Sequence, residues 1–318
     1  MVIIIGAGPI GLATGIELKR KNIPFKIIER GCLVNSIFNY PTNMTFFSTS
    51  DKLEIGDVPF ISHGPKPTRS EALEYYRRVA EHYDLPVHLY ETVKTMDGED
   101  GNFTIVTNKD TYHADKVVVA TGFYGQANMM GVPGEDLPKV KHYYDEPHIY
   151  AWQKVLVIGG GNSAVDAALE CYRSNAEVTM SVRYDTIKPS VKYWVKPDIE
   201  NRIKNEEVRA YFNSEVKEIR EHEVVLDTPD GEVTIENDFV LAMTGYHPNY
   251  DLMEALKIEL TEDDKCMPVY EEDSLETSTP GVYVAGVVCG GMDTSRLFIE
   301  NSRVHADQIA SDIKEKLG

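Results

Sequence analysis

The sequence predicts an α/β protein made of two Rossmann-like dinucleotide-binding domains, one inserted into the other. Three observations carry this. A glycine fingerprint lies at Gly6–Gly11, and a second lies at Gly159–Ala164. A strand also runs into Thr-Gly on each side of the second fingerprint, at Thr121-Gly122 and at Thr244-Gly245.

The first fingerprint follows the β-branched run Val2–Ile5 and opens a helix expected from Leu12 to about Lys21. In such a turn Gly6 permits the tight bend, Gly8 lets the backbone approach a pyrophosphate, and Gly11 allows close helix–strand packing. The loop, with Pro9 and Ile10, delivers the phosphates to a helix N-terminus rich in unpaired N–H groups. The next strand, Phe25–Ile28, ends in Glu29, where a carboxylate accepts both hydroxyls of an unphosphorylated ribose. This unit therefore suits FAD or NAD and disfavours NADP.

The second fingerprint repeats the pattern with one change. Val155–Ile158 is the strand, Gly159-Gly160-Gly161-Asn162-Ser163-Ala164 the turn and Val165–Arg173 the helix. The following strand, Glu177–Val182, ends in Arg183 rather than in an acid. A guanidinium there offers a charge-assisted fork to a 2′-phosphate, so NADPH is expected over NADH. Lys188 and Lys192 follow and add positive potential. Gly159, Gly161, Asn162, Ser163, Arg183, Lys188, Thr244 and Gly245 are the candidate NADP contacts.

At 318 residues the chain exceeds what one ordinary core supports, and 42% hydrophobic residues is normal for a globular protein. The expected FAD domain covers residues 1–125 and 246–318, and the NADP domain covers 126–245. Strands are expected at Phe103–Thr107, Lys116–Ala120, Asp238–Met243 and Gly281–Ala285, with a single closing helix from Leu297 to Lys316. No segment has the ~18 consecutive apolar residues of a membrane span. A first strand at Val2 leaves no room for a signal peptide. Four cysteines without paired spacing suggest a reducing cytoplasm, and no Cys/His cluster has metal-site spacing. A net charge of −19 argues against nucleic acid and anionic membranes as partners.

Longer stretches carry a resemblance. They are Val34-Asn35-Ser36-Ile37-Phe38-Asn39-Tyr40-Pro41-Thr42, Lys52-Leu53-Glu54-Ile55-Gly56-Asp57-Val58 and Met130-Gly131-Val132-Pro133-Gly134-Glu135-Asp136. To these are added Ala242-Met243-Thr244-Gly245-Tyr246-His247-Pro248, Val284-Ala285-Gly286-Val287 and Phe298-Ile299-Glu300-Asn301. With them the chain resembles, from end to end, the bacilliredoxin reductase or bacillithiol disulfide reductase family of thioredoxin-reductase-like flavoproteins that lack Cys-x-x-Cys. The resemblance implies a homodimer that binds FAD, takes electrons from NADPH and serves a low-molecular-weight-thiol redox system. Candidate FAD contacts are Gly6, Gly8, Pro9, Ile10, Gly11, Glu29, Arg30, Asn35, Ser36, Val93, Thr121, Gly122, Gly286 and Ile299. The last is expected to lend a backbone N–H to the flavin ring.

One position departs from the family. Members from bacillithiol-using bacteria carry a cysteine in the first glycine loop, where this chain has Ile10, and isoleucine cannot be a nucleophile. Among Cys32, Cys171, Cys266 and Cys289, only Cys289, three residues after Gly286, is placed to stand in for it. Three functions stay open. In one, electrons reach a thiol-disulfide partner, through Cys289 or directly. In another they pass singly to a ferredoxin, flavodoxin or quinone. The third is a nucleotide-binding redox sensor without turnover. His305 is expected to make a structural hydrogen bond.

Overall fold

The structure is a computed structural model that describes residues 1–318. In chain order, the elements that carry the site are strands β1 (Val2–Ile5), β2 (Phe25–Ile28), β3 (Lys116–Val119), β4 (Lys154–Ile158), β5 (Glu177–Val182), β6 (Phe239–Ala242) and β7 (Val282–Val284). The helices are α1 (Pro9–Arg20), α2 (Asn162–Arg173) and α3 (His305–Leu317). The chain divides into two compact units. The first comprises Met1–Asn39, Asn43–Gln126 and Tyr246–Gly318, and the second Tyr40–Thr42 and Ala127–Gly245.

In the first unit a five-stranded parallel sheet runs in the order β7, β3, β1, β2 and Val87–His88. All four residues of β1 are buried, and Ile3 and Ile5 share a core with Val93, Phe103, Val117 and Val284. Continuous burial of a short β-branched run is what a central parallel strand requires. A three-stranded antiparallel sheet, Val93–Glu99, Asn102–Thr107 and Thr111–Ala114, lies between β2 and β3 in sequence. Only its middle strand was expected from the sequence. The third strand alternates strictly, with Tyr112 and Ala114 buried and Thr111 and His113 exposed.

The second unit repeats the plan, with Arg209–Phe212, β5, β4, β6 and Val140–Lys141 in one parallel sheet. Alternate residues of β4 enter two different cores. Val155 and Val157 pack with Ala164, Ala168 and Cys171 of α2, while Leu156 and Ile158 pack with Val224 and Leu226 of a second, antiparallel sheet.

The closing helix is interrupted, contrary to expectation. Ile299–Ser302 forms one turn, and α3 starts afresh at His305. Two features mark the junction. The Phe298 carbonyl accepts both the amide and the hydroxyl of the buried Ser302, and beyond it the ladder tightens, with the Ala306 amide donating to the Arg303 carbonyl three residues back. The Arg303 guanidinium donates to the carbonyls of Asp51 and Glu54. No helix is long and apolar enough to cross a membrane.

Candidate functional site: two glycine cradles

The two fingerprints end on the same geometry. Gly6 has φ +108°, and a Cβ built there would lie 2.5 Å from the Ala120 carbonyl oxygen at the end of β3. Its counterpart Gly159 has φ +120°, and its Cβ would lie 2.6 Å from the Met243 carbonyl oxygen. Each loop is thus pressed against the strand lying next to its own. The middle glycines differ. No atom lies within 4 Å of a Cβ built on Gly8 or on Gly161, and each is the N-cap of its helix without a side-chain cap. The backbone there faces open space with helix amides behind it, which fits a pyrophosphate. Both cradles lie at the C-terminal ends of parallel strands, where open α/β sheets bind ligands.

In the first unit three chain turns meet at the cradle. Gly286, at φ +83°, would place a Cβ 3.0 Å from Ile10 Cγ1, and Gly122, at φ +67°, lies against Val287. Glu29 is buried and already engaged. Its Oε2 accepts the Ala7 N–H at 2.9 Å and its Oε1 accepts the Gly31 N–H at 2.8 Å. Each carboxylate oxygen keeps a second acceptor site for a ribose hydroxyl. Val34 donates its N–H to the Ala7 carbonyl at 3.1 Å, holding the loop from the opposite polarity. Asn35 and Ser36 sit in the single-turn helix Asn35–Phe38, and the Asn35 Oδ1 is 3.6 Å from Cys32 Sγ. The Arg30 guanidinium lies over Gly125, whose Cβ would strike it. Thr121 follows β3, and Ile299 heads the turn before α3. Val93 turns its side chain into the core, so only its main chain is free to serve a ligand.

In the second unit several polar groups are bound within the protein. The Asn162 Oδ1 accepts the Lys192 N–H at 2.9 Å and its Nδ2 donates to the Ser190 carbonyl at 3.3 Å, so this side chain braces the neighbouring loop. Ser163 lies exposed beside it. The Thr244 hydroxyl donates to the Asn128 carbonyl at 2.6 Å, and Gly245 adopts φ +95°. Lys192 does not add free positive potential as expected, because its Nζ is 2.7 Å from Asp166. Lys188 lies 5.5 Å from the centre of the Tyr184 ring. Arg183 is 72% exposed, with Nε 3.1 Å from Glu215 Oε1. That contact leaves the terminal nitrogens of the guanidinium for a phosphate. Glu215 carries no local sequence signal, since it meets Arg183 only through the fold.

Cys289 is the main correction. It is fully buried among Val284, Val288 and Met253, and burial pushes its thiol up to about 12. A thiol without access or thiolate character is no nucleophile at neutral pH. Cys171 is equally buried and also pushed up to about 12. Cys32 and Cys266 are half-buried free thiols, and burial raises the former. His305 makes a structural hydrogen bond, as expected. Its Nδ1 accepts the Gly286 amide at 3.1 Å.

Comparison with known proteins gives the family and the fold. Residues 3–286 match the family model of the pyridine nucleotide-disulphide oxidoreductases. The bacilliredoxin reductase Bdr of Bacillus subtilis (strain 168) is 46% identical over 316 residues, which span 99% of this chain and 97% of that protein. The chain belongs to this family. The solved structure of the bacillithiol disulfide reductase Bdr from Bacillus cereus superimposes with a TM-score of 0.97 at 44% identity, covering 99% of each chain. A Lactococcus lactis thioredoxin reductase shares the fold, with a TM-score of 0.77 at 20% identity over 99% of this chain and 97% of the other. The chain is therefore an oxidoreductase of thioredoxin-reductase-like fold, and its family uses a flavin and a pyridine nucleotide.

Proposed function

We propose that this protein carries two electrons from NADPH, through FAD, to a disulfide of the low-molecular-weight-thiol class, free or on a small bacilliredoxin-like protein. The observation that carries the cofactor assignment is the contrast between two like cradles, one closed by the buried carboxylate Glu29 and the other by the exposed guanidinium Arg183. The acceptor assignment rests on the relatives named above, nearly half identical to this chain along its whole length. We read the two units as the FAD domain and the inserted NADP domain, and the molecule as a cytoplasmic homodimer with four free thiols.

When bound, FAD would supply two-electron hydride chemistry between NADPH and the disulfide, chemistry that belongs to the cofactor. The chain's own groups bind and orient. Gly8 and the α1 N-terminus receive one pyrophosphate, and Glu29 receives the ribose beside it. Gly161 and the α2 N-terminus receive the other, with Arg183 and Lys188 directed to the 2′-phosphate. The net reaction balances as NADPH, a proton and one disulfide giving NADP⁺ and two thiols. Ile10 and the buried Cys289 supply no attacking sulfur, so the disulfide is reduced without a thiol at either of these positions.

The test is anaerobic. NADPH should bleach the flavin absorbance, and bacillithiol disulfide or a bacilliredoxin mixed disulfide should restore it. Failure to bleach would leave a nucleotide-binding sensor. Bleaching followed by reoxidation only with ferredoxin, flavodoxin or quinone would establish the second reading, which the lack of a thiol at Ile10 keeps in play.

A further inference from the structure

The interruption before α3 turns one side chain inward. His305, the first residue of α3, retains 9% of its surface exposed, and its Nδ1 accepts the amide of Gly286. Gly286 follows β7 with positive φ and lies with its α-carbon against Ile10 of the first glycine loop. The turn is therefore held at two points, at its amide by the imidazole and at its α-carbon by the Ile10 side chain. Burial pushes the ring down to about 4, so it is neutral at physiological pH. With Nδ1 accepting, the ring proton resides on Nε2. A charged ring would point an N–H at an N–H.

The geometry points to His305 as a positioning residue for the flavin nucleotide, fixing the Gly286 turn onto Ile10 so that this turn and the first glycine loop form one preformed wall. The role rests on the reading of that loop as the FAD cradle. No ligand contact by His305 is required, because it acts through Gly286. Ordering this wall before binding removes an entropic cost that FAD would otherwise meet. Loss of the acceptor also leaves a buried amide unpaired.

The experiment strips the flavin from wild type, His305→Ala and His305→Asn, then titrates FAD back while following its fluorescence and visible spectrum. Asparagine is included because its Oδ1 reaches about as far as Nδ1. His305→Ala should weaken FAD binding about tenfold and alter the bound-flavin spectrum, and His305→Asn should restore most of both. Urea unfolding of the apo forms supplies the control. The inference is overturned if His305→Ala binds FAD like wild type, or if the two variants lose affinity equally and in step with apo stability. Should the alanine variant not fold, His305→Gln, whose oxygen reaches one methylene further, replaces it against His305→Asn. Equal affinity of those two would likewise overturn the role. If wild type itself takes up no FAD, the cofactor reading fails instead.

Discussion

Each oxygen of the Glu29 carboxylate already accepts a backbone amide, from Ala7 and from Gly31, before any ligand arrives. Glu29→Gln would set an NH2 group against one of those amides. It should cost about 1–3 kcal/mol of apo stability in urea unfolding and weaken FAD uptake as well. Arg183 is tied more loosely. An ion pair this exposed contributes ~0–1 kcal/mol, so a doubly charged 2′-phosphate can draw the guanidinium away from Glu215. Arg183→Ala should raise the KM for NADPH about tenfold or more with little change in kcat and leave NADH kinetics unaltered in a steady-state assay. His305 adds a pH dependence. Its ring titrates at about 4 in the fold and near 6.5 in the open chain, so the unfolded state binds more protons between these values. The stability it confers is whole above about 6.5 and is lost as pH falls toward 4. The advantage of wild type over His305→Leu in chemical unfolding should therefore shrink across that window.

Among the elements, the strand–glycine–helix units were legible because their physics is local. A β-branched run, a turn that only glycine can enter and an uncapped helix start occupy about twenty consecutive residues. The glycines within one loop nevertheless do different work. A Cβ on Gly11 would lie 2.0 Å from the Gly6 carbonyl oxygen, whereas one on Gly8 meets nothing. Gly11→Ala should fold poorly, losing more than ~2 kcal/mol. Gly8→Ala should unfold in urea like wild type yet purify without flavin, since its methyl enters only the space left for the ligand. What the sequence concealed depends on distant partners. At the break before α3, Arg303 reaches the carbonyls of Asp51 and Glu54, about 250 positions away in sequence, a contact no local pattern announces. Lys192 looked available for phosphate until Asp166, on the adjoining helix, claimed it. Cys289 was singled out by its proximity in sequence to Gly286. Burial, which a short apolar segment shows only ambiguously, decided its role.

At the scale of the molecule, the chain passes from the first compact unit to the second near Gln126 and returns at Tyr246. The two Thr-Gly strand ends mark that traffic in the sequence, because a chain leaving one parallel sheet for another must do so at a strand's end. The acceptor is legible only through kinship, since the two cradles describe how electrons enter and no residue motif describes where they leave. A variant with Cys171 and Cys289 changed to Ala and Cys32 and Cys266 to Ser isolates that exit. It should keep NADPH-dependent disulfide reduction within a few-fold of wild type. Loss of disulfide reduction with flavin bleaching intact would return the exit to a protein thiol.

The packing of Ile10 onto Gly286 carries one last consequence. A hydrocarbon side chain in the cofactor loop gives peroxide nothing to oxidise and an alkylating agent nothing to cap. Cys171 and Cys289 are buried, whereas half-buried Cys32 lies 3.6 Å from the Asn35 Oδ1 beside the same cradle. In a Cys32→Ser background, pretreatment with hydrogen peroxide or iodoacetamide should leave turnover intact, because the cofactor loop then holds nothing for either reagent to block.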